Sequence, residues 1–178
     1  MQLGVIEPTY YVDPTACVHP TARIGAGTKI WGNAYVGRNA VIGESCIIAR
    51  NVEVGPNVVI GDRCKLESGC QVHEGWVLGD GVFIGPQAVL CNDNDPKAVR
   101  TAENPFTPLA AVIEDEATVC ANATLIAGLT IGARAKVWPG AVVTRDVPAG
   151  GRARCEVATL RNTNPSPVHA EQMARGDH

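Results

Sequence analysis

A six-residue period of aliphatic side chains is the feature that most constrains how this chain can fold. The period starts at Val12, runs without a break to Leu90, resumes at Ile113 and continues to Val143. The fourth residue after each aliphatic is almost always small or apolar. A period of six fits neither an α-helix nor an isolated amphipathic strand. Two inward positions in every six residues predict an all-β fold, a parallel β-helix with three hexapeptides in each triangular coil.

A second period of eighteen residues supports the triangular coil. The dipeptide Ile-Gly or Leu-Gly recurs one coil apart, or a multiple of a coil once the interruption is removed, at Ile24, Ile42, Ile60, Leu78 and Ile131. We expect about six to seven coils in one domain over residues 1–159. In the tail, residues 160–178, the stretch "SPVHAEQMARG" predicts a short C-terminal helix.

The period is interrupted once, and the interruption predicts a projecting loop at residues 92–110. Leu90 and Ile113 are 23 residues apart instead of six, so about seventeen residues are looped out. Chemistry on a solenoid usually lies on such a loop. Because residues eighteen apart lie above one another, we expect a polar cluster where the loop leaves, formed by His73, Glu74, Asn92 and Asp93. The alternative is a solvated corner with an Asx turn that starts a surface loop.

Composition excludes several classes of function. The net charge is −3 and the chain has only eight aromatic residues, so we expect no nucleic-acid partner. No apolar run approaches the roughly 18 to 20 residues that a membrane span needs, and the start "MQLGVIEPTYY" does not have the pattern of a signal peptide, so we expect no membrane partner and a cytoplasmic location. The seven cysteines form no Cys-x-x-Cys pair, which favours buried thiols over disulfides or a zinc ribbon.

Two longer runs carry a family resemblance. "RIGAGTKIWGNAYVGRNAVIGESC" and "GLTIGARAKVWPGAVVTRDVPAG" resemble the left-handed β-helix, hexapeptide-repeat acyltransferases, and the resemblance covers roughly residues 12 to 150. It implies a left-handed prism and a homotrimer. It also implies that acyl-CoA lies in the groove between neighbouring subunits.

The segment "FIGPQAVLCNDNDPKAV" is similar to the subgroup that N-acetylates amino groups on nucleotide-linked sugars. That subgroup typically reads Gly-Pro-x-x-x-Phe-Thr-Asn-Asp-x-x-Pro-Arg, which Gly85, Pro86, Asn92, Asp93 and Pro96 match. Lys97 stands where Arg is usual. The resemblance implies acetyl-CoA as co-substrate, a nucleotide-linked deoxyamino sugar as acceptor, and Asn92 beside the amine and the thioester. The expected activity is that of an N-acetyltransferase, with Lys97 and Glu67 as candidate substrate-binding residues.

The amide of Asn92 can align an amine but cannot remove its proton. Glu74, Asp93 and His73 are therefore the candidate bases, with Glu74 first because it is expected directly beneath Asn92. An amine that binds neutral needs no side-chain base. For the CoA phosphates the candidates are Arg134, Arg145 and Arg152, and the alternative for these three is a solvated basic edge.

Other functions stay open. O-acetylation of a small hydroxylated acceptor is the second enzymatic hypothesis, although the hexapeptide O-acetyltransferases use a His at the start of their loop and no His closely follows Asn92. A non-catalytic assembly subunit is the third. The γ-class carbonic anhydrases share this fold but need three His ligands, and the spacing of the four His residues gives no such set, so we expect no metal.

Two departures from the family stand out. "CEVAT", Cys155 to Thr159, replaces the usual Gly-Asn-Pro-Ala-Arg that borders the CoA groove. "CKLESGCQVHEG" lacks the paired Asn and the Tyr common in the sugar-modifying subgroup. The first departure concerns how CoA is held, and the second concerns the identity of the acceptor.

Overall fold

The computed structural model describes residues 9–154, and within them the fold consists of short strands joined by tight turns. The strands, numbered in chain order, are β1 Tyr11–Val12, β2 Cys17–Val18, β3 Arg23–Ile24, β4 Lys29–Ile30, β5 Tyr35–Val36, β6 Val41–Ile42, β7 Ile47–Ile48, β8 Glu53–Val54, β9 Val59–Ile60, β10 Lys65–Leu66, β11 Gln71–Val72, β12 Trp76–Leu78, β13 Phe83–Ile84, β14 Val89–Leu90, β15 Ala111–Ile113, β16 Thr118–Val119, β17 Thr124–Leu125, β18 Thr130–Ile131, β19 Lys136–Val137, β20 Val142–Val143 and β21 Arg152–Ala153.

Every third strand belongs to the same parallel sheet, so three sheets form the sides of a triangular prism. Sheet 1 has eight strands (β1, β4, β7, β10, β13, β16, β19, β21), sheet 2 has seven (β2, β5, β8, β11, β14, β17, β20), and sheet 3 has six (β3, β6, β9, β12, β15, β18). The predicted all-β, hexapeptide-repeat parallel β-helix is confirmed. The stack is slightly taller than the predicted six to seven coils, because β1 and β21 extend sheet 1 to eight strands. Handedness stays a prediction from the resemblance.

The pairing register of the strands gives the length of the insertion. Val72 pairs with Leu90, an offset of 18 residues, and Leu125 pairs with Val143 at the same offset. Across the interruption Leu90 pairs with Leu125, an offset of 35, which is 18 plus 17. Seventeen residues therefore leave the coil, and the chain returns in phase.

Each two-residue strand points one side chain outward and the next inward. In β7, Ile47 is 36% exposed and Ile48 is fully buried. The inward small position is also buried and includes three of the cysteines, Cys46, Cys64 and Cys70, as predicted for small core thiols. Burial raises the pKa of the Cys70 thiol to about 12, so this group stays neutral near pH 7.

The corners depend on residues with positive φ. One such residue occurs every six positions, and Asn or Gly occupies most of these sites, as at Asn39, Asn57 and Gly75. Asn and Gly enter the left-handed region more readily than other residues, which explains their recurrence in the sequence. The Asn39 side-chain amide donates to the Asn57 side-chain oxygen at 3.2 Å, so the corner residues also contact one another along the stack.

Some predicted features lie outside the described residues. The C-terminal helix expected in residues 160–178 and the stretch from Cys155 to Thr159 are among them. In the part of the chain that is described, no helix has the length and apolar character that a membrane span requires.

The alternation in β7 gives a stability prediction. Ile48→Asp places an unpaired carboxylate in the core and should lower the free energy of unfolding by more than about 4 kcal/mol, or prevent folding. Ile47→Asp changes the adjacent outward residue and should cost within about 0.5 kcal/mol. Urea unfolding followed by circular dichroism compares the two variants, and equal destabilisation would contradict the assigned inward face.

Candidate functional site

The loop leaves the prism at the corner between sheet 2 and sheet 3. This corner, called the loop corner below, consists of residues 73–75, 91–92, 126–128 and 144–146, each of which follows a strand of sheet 2. Residues 91–110 connect β14 to β15 here. The sequence-predicted His73, Glu74, Asn92 and Asp93 all lie at this corner or at the first positions of the loop.

Three consecutive backbone carbonyls at the start of the loop accept hydrogen bonds. Nδ1 of His73 lies 2.9 Å from the Leu90 oxygen, and the indole N–H of Trp76 donates to the Cys91 oxygen at 2.8 Å. The backbone N–H of Leu109 donates to the Asn92 oxygen at 3.1 Å. The backbone on either side of Asn92 is therefore held in one position.

The bond to Leu90 determines the protonation pattern of His73. A carbonyl oxygen can only accept, so Nδ1 must carry the proton. In the neutral ring Nε2 then has an available lone pair. His73 is half-buried, and among the described residues no hydrogen bond engages its Nε2. The imidazole is thus in the tautomer that a proton acceptor needs.

Trp76 occupies an inward position that is small in most other coils. Its side chain is fully buried, and it pairs with Ala111 in the next strand of sheet 3. Gly75, beside it, has a φ of 98°, and a Cβ there would come within 2.8 Å of the Leu109 oxygen. Gly75 therefore lets the returning end of the loop pass close to the coil, while Trp76 fills the interior beneath the point of exit.

The polar side chains that follow Leu90 differ in what they contact. Within residues 9–154 no hydrogen bond engages the side-chain amide of the half-buried Asn92. The Asp93 carboxylate accepts from the Arg100 guanidinium and, at 2.9 Å, from the backbone N–H of Asp95. Asp93 is thus committed to the loop's own structure, whereas within residues 9–154 the Asn92 amide has no such partner. Sequence reasoning missed Arg100, because the loop has no period that would place it.

Asn94 joins the loop to the coil above. Its side-chain nitrogen donates to the Ala127 oxygen at 3.1 Å, and its side-chain oxygen accepts from the Ala127 N–H at 2.9 Å. One amide thereby satisfies both backbone groups of a buried residue at the loop corner. Sequence reasoning also missed this contact.

The remaining predicted residues lie apart from Asn92 or contact other groups. The Glu74 carboxylate accepts from the Asn57 amide, on the coil below, at 2.6 Å. Lys97 forms an exposed ion pair with Asp95 at 2.8 Å. Glu67 follows a strand of sheet 1, so it lies at a different corner of the prism, where it pairs with Lys65 at 2.8 Å.

A groove of about 650 Å³ lies on the last coil, lined by residues 142–148 and 151–154. Arg145 and Arg152, two of the three predicted CoA-binding residues, line it together with Arg154. Arg134 does not, because it follows a strand of sheet 3 at another corner. Arg145 belongs to the loop corner two strands above Asn92, a rise of about 10 Å. One corner thus connects a cationic groove to the His73–Asn92 region.

Acidic, His and Cys side chains do not converge at the loop corner as metal ligands would. Across residues 9–154, no group of three or more of them is arranged to hold a metal ion. Partial burial raises the pKa of Cys91, the residue before Asn92.

Comparison with known proteins agrees with this fold. The bacterial transferase hexapeptide (six repeats) family model matches residues 39–74 and 57–92. A 2,3,4,5-tetrahydropyridine-2,6-dicarboxylate N-acetyltransferase of Staphylococcus aureus (strain JH9) is 36% identical over 72 residues, 40% of this chain and 26% of that enzyme. The chain therefore spans about a quarter of the length of this curated relative.

Two solved structures share the architecture. A hexapeptide transferase family protein from Anaplasma phagocytophilum superposes with a TM-score of 0.60 at 20% identity, over 85% of this chain and 84% of that one. The acetyltransferase domain of PglB from Neisseria gonorrhoeae FA1090, in complex with acetyl coenzyme A, gives 0.52 at 21% identity, over 83% and 57%. The resemblance to hexapeptide-repeat acyltransferases is confirmed in the repeat and in the fold.

The environment of Cys91 gives a reactivity prediction. A raised pKa leaves less thiolate near pH 8, so Cys91 should react with iodoacetamide more slowly than the exposed Cys17. The difference should shrink as the pH rises toward the raised pKa, and it should vanish in urea. Peptide mass spectrometry of both sites over time measures this, and equal rates in the folded protein at pH 8 would show that Cys91 is not shielded.

Proposed function

We propose that this chain is an acyl-CoA-dependent N-acyltransferase that acetylates an amino group on a nucleotide-linked deoxyamino sugar. The observation that carries the proposal is the loop corner, which holds both His73, with Nε2 available, and an Asn92 amide with no hydrogen-bond partner in the described residues. The match to the hexapeptide transferase repeat and the Gly85–Pro96 motif support acetyl-CoA as donor and an amine as acceptor.

In the proposed reaction the Asn92 side-chain oxygen accepts a hydrogen bond from the amine and directs its lone pair at the thioester carbonyl. The new C–N bond forms as the C–S bond breaks. His73 Nε2 takes the proton that the amine loses, and CoA leaves as the thiol once a proton returns to sulfur. His73 thus replaces Glu74 as the first candidate base, because the Glu74 carboxylate bonds to Asn57 on the coil below, whereas Asn92 follows the strand above.

Acyl-CoA would reach this corner from the last coil. The guanidinium groups of Arg145, Arg152 and Arg154 suit the CoA phosphates, which are anionic. An extended pantetheine arm can cover the two strand spacings, about 10 Å, from Arg145 down to Asn92. Arg134 lies outside this groove and has no place in the proposed binding mode.

O-acetylation is the second candidate, because the His73 tautomer would also suit a hydroxyl acceptor, which needs a base more than an amine does. The two activities differ in how they depend on the base. Without His73, turnover with a hydroxyl acceptor should be almost abolished. Turnover with an amine acceptor should recover in large part at high pH.

The test is thioester cleavage of acetyl-CoA with a panel of amino-sugar nucleotides, matched hydroxyl sugars and 2,3,4,5-tetrahydropyridine-2,6-dicarboxylate. With the accepted amine, Asn92→Ala should lower kcat by about tenfold to a thousandfold. His73→Asn should lower the rate more at mid-pH than at high pH, where neutral amine dominates, and Glu74→Gln should stay within about threefold of wild type. The assignment would be overturned if none of the amines in the panel were acetylated, or if the His73→Asn kinetics paralleled wild type at every pH.

A homotrimer is part of the proposal, since the groove needs a second wall. A second copy would cover the outward face of sheet 3, where four valines stand in register on consecutive strands: Val41, Val59, Val77 and Val112. The last three are 37–42% exposed. An uncharged column of β-branched residues suits a cyclic contact between three copies better than solvent.

The trimer is tested by light scattering at micromolar concentration. Val77→Glu should dissociate the assembly, because it places like charges at the contact around the symmetry axis. Ile47→Glu makes a similar change on sheet 1 and should leave the trimer intact. A monomeric wild-type protein would contradict the trimer, and dissociation by Ile47→Glu alone would assign the contact to another face.

A further inference from the structure

We infer that Trp76 and Asn94 are positioning residues that hold Asn92 in place from below and from above. The inference rests on the proposed function, in which Asn92 aligns the acceptor amine. Neither residue needs to touch the substrate. Each acts through a hydrogen bond to backbone close to Asn92.

The contact from below is the indole N–H of Trp76. It donates at 2.8 Å to the carbonyl of Cys91, which belongs to the peptide bond that precedes Asn92. The indole is fully buried, so its ring cannot turn without disturbing the core. Packing alone does not explain the choice of residue, because the inward position is small in most other coils and a phenyl ring would also fill space. Among large apolar side chains, only tryptophan carries such an N–H donor.

The contact from above is the side chain of Asn94. Its amide pairs with both backbone groups of Ala127, at 3.1 and 2.9 Å. It thereby makes the hydrogen bonds that the backbone of a neighbouring strand would make if the chain had not left the sheet. Ala127 is buried and belongs to the coil between Asn92 and Arg145. Asn94 therefore fixes the height of the loop start relative to the cationic groove, and with it the height of the amine relative to the thioester.

Asn92 lies between these two contacts. The next residue, Asp93, is held by Arg100 and by the Asp95 N–H. The side chains of Asp93 and Asn94 thus both fix the loop. Of residues 92–94, Asn92 is the one whose side chain has no hydrogen bond in the described residues. Such preorganisation matters because displacement of an aligning group by about 1 Å can cost roughly a hundredfold in rate.

The test uses Trp76→Phe and Asn94→Ala, with Trp31→Phe and Asn104→Ala as controls that remove the same groups at exposed positions. Trp76→Phe and Asn94→Ala should each lower kcat about tenfold, with KM for acetyl-CoA within about threefold and the pH profile unchanged, since His73 is intact. In an Asn92→Ala background neither change should cause a further loss beyond about twofold, because each acts through Asn92. Additive losses in that background would overturn the inference.

Hydrogen exchange supplies a readout that needs no activity. Exchange in the peptide spanning residues 91–95 should speed up in Trp76→Phe and Asn94→Ala, and the Ala127 amide should lose protection in Asn94→Ala. The two controls should match wild type. Unchanged exchange would show that these contacts do not hold the loop start. An inactive wild type with this exchange pattern would instead count against the proposed function alone.

Discussion

The parallel ladder between residues eighteen apart is the interaction on which the rest of the molecule depends. Each strand is only two residues long, so the ladder determines which side chain enters the core. A slip of one residue would turn Lys29, Lys65 and Lys136 inward in place of their buried neighbours. The free-energy cost of burying three unpaired ammonium groups would exceed the free energy of unfolding of a domain of this size. The register is therefore strongly specified.

The ladder also explains the form of the loop. Seventeen residues can leave the coil because the chain returns in phase, as the pairing of Leu90 with Leu125 requires. Where strands end, their backbone groups still need partners. At the loop corner side chains supply some of them: His73 and Trp76, on the coil below, bond to the carbonyls at the exit, and Asn94 bonds to Ala127 on the coil above. Four of the polar side chains that sequence analysis singled out lie where the ladder is interrupted: His73, Glu74, Asn92 and Asp93.

Periodicity made the coil, the three sheets and the length of the insertion predictable, since each follows from counting in sixes and eighteens. The same counting contained signals that were missed. Glu67 is one hexapeptide before His73, which already assigns it to another corner, and Trp76 is a large residue in a small position just before the interruption. Side-chain direction was not predictable. Glu74 bonds downward to Asn57, and Arg100 bonds to Asp93 in a loop without any period.

Two of the three candidate bases, His73 and Glu74, show why position along the stack does not by itself assign a chemical role. Both follow β11 at the same corner, but a carboxylate can only accept, and Glu74 accepts from Asn57. An imidazole can donate from one nitrogen and accept at the other, and a backbone carbonyl at Nδ1 separates these roles before any ligand arrives. The Leu90 carbonyl is fixed by the β14 ladder, so the regular scaffold itself orients the proposed proton acceptor. In this molecule the sheet register and the proposed acid–base chemistry therefore depend on the same strand.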